Sequence, residues 1–349
     1  MNLYREPRDA GNAHRERYLA QLRKLLQREQ SQAKQRRRED FKLDVSSLRA
    51  YESSIKGHRA RFFNLLGWPL TEPYPGGIPL QKEISAGQDD LGSIRRVWVE
   101  TLPGLETYGL LFLPPGDGPH PLVISQHGGG GTPELCSDFF GSANYNEMSR
   151  RILRRGAAVF CPQLAMWKEE FGPEHERQDL DRNFKQLGGS IAALDIFQVR
   201  RCIDAIAARP DIDATRIGMI GLSWGGFYTL VTAASDTRIR VALTSCFFND
   251  RARYPRGPSV WKDAALVAFD AEIAALVCPR ALYIEVGRND ELFAVDSARA
   301  EAEQVQALYQ RLDLATRFRY HEHAGGHEFD PDDPGITFVA EQLALPPAP

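Results

Sequence analysis

The sequence predicts an α/β fold: a mostly parallel, twisted sheet with helices on both faces, preceded by a helical amino-terminal extension. Three observations predict it. Short apolar runs alternate with longer segments of helical periodicity, the pattern of a parallel sheet buried on both sides. A segment rich in Pro and Gly, 69–79, separates this alternating region from an earlier one that reads as helix alone. The composition, 43% hydrophobic and 26% charged over 349 residues, is that of a packed chain long enough for one large domain and an appendage. The division expected is residues 1–68 as the extension and 69–349 as the main domain.

Residues from about 12 to 40 carry Tyr18, Leu19, Leu22, Leu25 and Leu26 at helical spacing among Arg, Gln and Glu. A second helix covers roughly 46–66 and stops at Gly67-Trp68-Pro69. Beyond the linker, Ile94–Glu100 alternates as a strand. Thr107–Leu113 is a second one, ended by Pro114-Pro115-Gly116, and the pair reads as an antiparallel edge. Pro121–Gln126 and Ala157–Pro162 are buried strands, and Ile191–Ala208 is a long helix. Arg216–Leu222 is a strand that runs into a helix at Trp224–Ala234. Arg240–Ser245 and Arg280–Val286 are strands with a helical stretch between them. Ser297–Leu312 is a helix, and Thr316–Tyr320 a last strand.

The formal net charge is only -3, but it is unevenly spread. Residues 1–66 hold 16 Lys+Arg against 8 Asp+Glu, and the remainder holds 27 against 38. A basic arm therefore precedes an acidic body. Because acidic residues are interspersed through the arm, it reads as a solvated helical face that docks on its own body or on another subunit, rather than as a nucleic-acid or membrane surface. The start of the chain has no apolar stretch of secretory length, and no run is long and apolar enough to span a bilayer. The cysteines, 136, 161, 202, 246 and 278, are odd in number and never form C-x-x-C, so they read as buried thiols of a cytoplasmic protein.

The most informative stretch is Arg216-Ile-Gly-Met-Ile-Gly221-Leu-Ser223-Trp-Gly225-Gly226. It holds G-x-S-x-G between a buried strand and a helix, the context in which a serine is lifted clear as a nucleophile. The turn leaves no room for side chains at Gly221 and Gly225, and Gly226 allows close packing of helix on sheet. The helix amino terminus puts partial positive charge where an oxyanion would form.

Earlier in the chain, a strand ends in His127-Gly128-Gly129-Gly130-Gly131. Acyl transfer builds negative charge on a carbonyl oxygen, and exposed backbone amides are its usual stabilisers. The expected donors are the amide of Trp224 and that of Gly129, with Gly128 as second choice; His127 reads as structural. A phosphate-binding loop is the rival, but no G-K-[ST] follows.

The serine needs a base held by an acid, and in this arrangement the chain order is Ser, acid, His. His321, His323 and His327 follow Ser223. His327 lies in the glycine-flanked loop Ala324-Gly-Gly-His-Glu-Phe329 and suits the base, whereas His321 and His323 read as structural. The three could instead bind a metal, but no H-E-x-x-H is present and none is called for. Asp290 stands in the loop after the strand that ends at Gly287 and is preferred as acid over Glu285, on the strand, and Asp296, nearer the next helix.

These motifs, Gly221-Leu-Ser-Trp-Gly-Gly226, His127-Gly-Gly-Gly-Gly131, Gly287-Arg-Asn-Asp290 and Gly326-His327-Glu-Phe, resemble the α/β-hydrolase superfamily. More narrowly they resemble its dienelactone hydrolase and acetyl xylan esterase-like branch, which borders the prolyl oligopeptidase catalytic domains. The likeness covers roughly residues 80–340, and the helix with Asp195 and Arg200 leading into Asp211-Ile-Asp213-Ala-Thr-Arg216 is also typical of it. The resemblance implies the α/β-hydrolase fold, ester hydrolysis through an acyl-serine without metal or organic cofactor, and small or carbohydrate-borne, acetyl-type esters as substrates. A peptidase or amidase with the same triad is the alternative, and a binding or assembly protein on an inactive scaffold is the alternative of another class. The expected partners are the ester substrate, small or oligosaccharide, and a second copy of the chain through the amino-terminal helices, with no nucleic acid and no membrane. Trp167, Phe171 and Phe184 in 163–188, and Phe247, Phe248, Tyr254 and Trp261 in 247–263, are expected to shape the pocket.

Overall fold

The computed structural model describes residues 1–254 and 259–346. Among these, nine strands form one sheet: β1 (Gln81–Asp89), β2 (Gly92–Leu102), β3 (Leu105–Leu113), β4 (His120–Gln126), β5 (Ala158–Pro162), β6 (Ile212–Leu222), β7 (Ile239–Ser245), β8 (Ala281–Gly287) and β9 (Phe318–His323). Their spatial order is β1-β2-β3-β5-β4-β6-β7-β8-β9. The strands β4 to β9 run parallel to one another, and β1, β2 and β3 form an antiparallel wing joined to them through β3 and β5.

The helices are α1 (Asn12–Asp40), α2 (Leu48–Leu66), α3 (Pro133–Cys136), α4 (Met148–Leu153), α5 (Arg177–Gln186), α6 (Ile191–Ala207), α7 (Trp224–Ser235), α8 (Ala264–Val267), α9 (Asp270–Val277), α10 (Val295–Arg311) and α11 (Pro334–Gln342). The two faces of the sheet bury separate cores. One holds Leu122 and Ile124 of β4 with residues of α2, α6, α7, α9 and α10; the other holds Val123 of the same strand with residues of α4 and α11. Successive side chains of a strand point to opposite faces, so a strand covered on both is buried at every position and largely apolar. That is why β5 and β8 are buried throughout.

The expected alternation of strands and helices is therefore present, and so is the α/β architecture. One strand, β1, escaped the sequence reading. Every residue of Gln81–Asp89 is exposed, so no apolar period marks it; pairing with β2 and the Arg95–Glu83 ion pair hold this edge in place. Segment 69–80 holds no helix or strand, and an isolated bridge from Trp68 to Gly189 stands just before it.

The two amino-terminal helices differ. Tyr51, Ile55, Phe62 and Leu66 of α2 belong to the main core. Arg59 of α2 donates to the carbonyls of Ala234, near the end of α7, and Leu276, in the last turn of α9, where helix carbonyls lack partners. Among the described residues, the ion pairs that anchor helix α1 lie near its end. Lys34 pairs with Asp250 and Glu301, and buried Arg37 pairs with Glu272 at 3.0 Å, donates to the Ala265 carbonyl and lies over the Phe269 ring. Its residues Tyr18, Leu19, Leu22, Leu25 and Leu26 are exposed.

Candidate active site

The turn from β6 into α7 places Ser223 at φ 59°, ψ -123°, a backbone conformation that non-glycine residues reach only at a cost of about 1–3 kcal/mol and that collects at functional sites. Close packing enforces it. A Cβ on Gly225 would run into the Gln126 carbonyl oxygen at the end of β4, and one on Gly226 would stand 2.6 Å from the Ser245 carbonyl oxygen of β7. The Ser223 amide donates to that same Ser245 oxygen at 2.8 Å. The serine is thus clamped between the neighbouring strands, with its side chain partly open to solvent.

The glycine loop lies directly beside it. A Cβ on Gly128 would come 3.2 Å from the Ser223 Cβ. The loop is pinned from two sides. Gly130 donates to the Met166 carbonyl at 2.5 Å, and Gly131 to the Gly128 carbonyl at 3.1 Å. The Gly128 amide donates to the Tyr145 hydroxyl at 2.8 Å. Of the three amides expected as donors from sequence, that of Gly128 is thus already engaged, whereas those of Gly129 and Trp224 have no acceptor among the described residues. His127 is fully buried, and burial pushes its imidazole down to about 4, so it is neutral. Its Nδ1 meets the Gly128 carbonyl at 2.9 Å and its Nε2 accepts from the Leu164 amide at 3.1 Å. The residue ties the loop to the exit of β5, the structural part expected of it.

The loops that carry Asp290 and His327 follow β8 and β9. Asn289 donates to the Gly325 carbonyl through its amide and to the Ala324 carbonyl through its side chain, and Arg288 donates to the His323 carbonyl. His327 and Asp290 meet at the junction, with 2.9 Å between Nδ1 and Oδ2. The Asp290 side chain is shut off from solvent and that of His327 is 19% exposed. The other Asp290 oxygen accepts the amides of Leu292 and Phe293. Burial works against ionisation of Asp290, but the His327 contact and the two amides outweigh it, and the carboxyl is held below its ordinary range. A carboxylate at Nδ1 fixes the proton there and leaves Nε2 as an acceptor.

Ser223 and His327 line one hollow of about 310 Å³, together with Gly128, Gly129, Trp224 and Phe293. No hydrogen bond joins the two side chains in this conformation, a common state of such pairs before substrate arrives. The structure thus brings Ser223, His327, Asp290, Gly128, Gly129 and Trp224 to one place. Glu285 lies on β8, fully buried, its carboxyl raised to about 7 by burial. Asp296 is on α10 and pairs with Arg253. His321 faces Asp330 at 3.1 Å, and His323 is buried beside Cys246. None of these four lines the hollow.

Three residues that sequence reasoning did not single out also shape the site. Tyr145 holds Gly128, and Asn144 donates to the His327 carbonyl at 3.0 Å. They lie in a turn of mixed polar residues that carries no chemical motif. Cys246 follows β7, and its sulfur, Asp290 and His327 offer ligand atoms within 4.8 Å of one another. The thiol donates to the Glu328 carbonyl at 3.2 Å, and burial together with the nearby Asp290 charge pushes it well above its ordinary range. Holding a metal would require removing that proton and breaking the Asp290–His327 contact.

The pocket aromatics divide. Trp167 lines a larger cleft and Phe247 the serine's hollow. Phe171 packs on Phe140 and Phe184 on Trp68, while Phe248 and Trp261 are core residues. The Tyr254 hydroxyl accepts the Ala294 amide. Residues 255–258 of that segment lie outside those described.

A model of the dienelactone hydrolase family matches residues 135–342, which include Ser223, Asp290 and His327. Among named proteins, YtaP of Bacillus subtilis (strain 168), named as a hydrolase, is 26% identical over 290 residues, covering 77% of this chain and 92% of its own length. Among solved structures, a Bacteroides fragilis protein under the name of acetyl xylan esterase superposes with a TM-score of 0.67 at 14% identity, over 81% of this chain and 78% of its own. A glucuronoyl esterase from Solibacter usitatus does so with 0.63 at 14% identity, over 85% and 94%. At such identities the structural likeness is one of fold.

Proposed function

The chain belongs to the dienelactone hydrolase family and is a hydrolase of α/β-hydrolase fold, and from this premise we propose that it is a serine carboxylic-ester hydrolase working through an acyl-enzyme, on esters that are small or carried by carbohydrate. The observation that carries the reading is a convergence. A strained Ser223 and a His327 already oriented by Asp290 line one hollow with two unpaired amides.

Ser223 Oγ attacks the ester carbonyl while His327 Nε2 takes its proton. Asp290 holds the ring and stabilises its charged form without accepting the proton. The amides of Trp224 and Gly129 receive the oxyanion, backed by the amino terminus of α7. His327 then protonates the departing alcohol, and water frees the acid by the same steps in reverse order. We also propose that the exposed leucines of α1 meet a second copy of the chain.

The test is twofold. A fluorophosphonate probe should label Ser223 in the native protein. A panel of acetylated xylo-oligosaccharides, methyl glucuronoyl esters, p-nitrophenyl acetate and aminoacyl-nitroanilides should show ester turnover well above amide turnover. Faster amide cleavage would make the protein a peptidase, and no labelling would make it a scaffold.

A further inference from the structure

Beside the serine's hollow opens a second and much larger space, about 1080 Å³ against about 310 Å³. The two share Gly129 and Trp224, the residues assigned to the oxyanion. The far wall is the segment after β5, including Trp167, Lys168, Glu170, His175 and Arg177. This wall is fixed rather than loose. Met166 is bonded to Gly130, the Trp167 indole N–H donates to the Pro173 carbonyl at 2.7 Å, and His175 reaches the Trp167 carbonyl at 3.0 Å.

The position of the cleft settles which half of an ester it can receive. Along the sheet, β4 and β5 lie on one side of the nucleophile strand β6, and β7, β8 and β9 lie on the other. His327, which hands a proton to the departing oxygen, comes from the β9 side. The alcohol must therefore sit toward His327, where Leu292 and Phe293 close the hollow. The remaining substituent of the tetrahedral carbon, the acyl group, is left with the β4–β5 side and its cleft.

The charges of the cleft restrict the acyl group further. Glu169, Glu170, Glu174, Glu176 and Asp179 line it, against Lys168 and Arg177. Arg177 is already spent: its guanidinium donates to Asp195 Oδ2 and to the Tyr228 hydroxyl, each at 2.5 Å. Asp179 pairs with Arg182, and the four glutamates have no ion-pair partner among the described residues. Free carboxylates accept hydrogen bonds from hydroxyls and repel anions. The rigidly held Trp167 ring, half-buried, adds an apolar surface of the kind that stacks on a saturated ring.

We propose that this cleft is the acyl subsite, and that it takes a bulky, hydroxylated acyl group without negative charge, esterified to a small alcohol. The proposal rests on the serine-esterase reading and deepens it. It places the bulk of the substrate on the acid rather than on the alcohol, unlike an acetylated carbohydrate. In the reaction the Ser223 Oγ–acyl bond forms as the acyl–alkoxide bond breaks. The serine proton travels through His327 to the alcohol, and water then cleaves the acyl-enzyme.

The experiment compares kcat/KM for methyl quinate, an acetylated methyl glucoside and p-nitrophenyl acetate, in the native chain and in Trp167→Ala. Methyl quinate should exceed the acetylated glucoside by at least about tenfold. Trp167→Ala should lower methyl quinate turnover by about tenfold or more and leave p-nitrophenyl acetate within about twofold. Dimethyl succinate should outrun monomethyl succinate, and changing Glu169, Glu170 and Glu174 together to Gln should narrow that gap. Preference for the acetylated glucoside, or equal losses on all substrates in Trp167→Ala, overturns the acyl assignment while leaving the esterase standing. Absence of all ester turnover together with no fluorophosphonate labelling overturns both.

Discussion

The turn at Ser223 and the amino-terminal arm are built on opposite plans. Around Ser223 the backbone is over-determined. Two glycines are forced by neighbouring carbonyls, the serine amide is tied to β7, and the helix α7 and the strand residues 217–222 that lead into the turn are buried almost throughout. In α1 a 29-residue helix carries a single buried side chain, Arg37, and its leucines face solvent. The first region spends its packing on holding a strained conformation. The second hangs from a few polar contacts. A close-packed turn leaves one solution for the chain, whereas a helix secured by a few charged contacts owes its place to the partners it happens to meet.

Substitutions at the two regions should separate these plans, beginning with the largest effect. Ser223→Ala should lower kcat/KM on p-nitrophenyl acetate by about 10⁴-fold or more, with the urea midpoint almost unchanged. Retention of most activity would break the catalytic half of the comparison. Gly225→Ala drives a Cβ into the Gln126 carbonyl, a backbone clash that cannot be relieved by a rotamer change. A loss of at least about 3 kcal/mol is expected, read by urea denaturation.

In the arm, Arg37→Ala strands Glu272 in a buried position and should cost about 3 kcal/mol. It should leave kcat/KM untouched, because no arm residue lines the serine's hollow. Leu22→Ala should change stability by less than about 0.5 kcal/mol. Changing Leu19, Leu22 and Leu26 together to Ser should lower the mass measured by light scattering if these side chains join two copies. An unchanged mass would remove that role from α1.

Acidity offers a finer contrast, since a carboxyl of the sheet is buried whereas the carboxyls of α1 are exposed. Glu285 is held protonated up to about 7 by burial, with the Asp330 amide working the other way, against 4.5 as its ordinary value. Between these values the folded chain binds more protons than the unfolded one, so stability falls as pH rises through that window. Glu285→Gln should flatten this decline, worth at most about 3 kcal/mol by pH 7.5, in melting curves recorded from pH 4.5 to 7.5. A slope identical in both chains would place the titration elsewhere.

Much of this molecule was legible before any coordinates. The parallel strands, the turn at Ser223 and the loop around His327 each announce themselves locally, through apolar runs and glycines at fixed offsets. The edge strand β1 did not, because both of its faces meet solvent and no periodicity records its pairing. Tyr145 was invisible for another reason. Its service to the Gly128 amide depends on a contact across 17 positions of chain, and nothing in its own neighbourhood signals it.

By itself the sequence determined the α/β alternation, the sharp turn at Ser223 and the glycine-flanked loop at His327, because these follow from short-range steric and periodic constraints that each segment carries within it. Tertiary structure alone decided that Gly129 rather than Gly128 is left unpaired, that the arm is anchored through Arg37, and that an acid-lined cleft lies on the side of Ser223 away from His327. Those outcomes depend on which strands become neighbours. Neighbourhood in the sheet is set by packing among residues far apart in the chain, which no local pattern encodes.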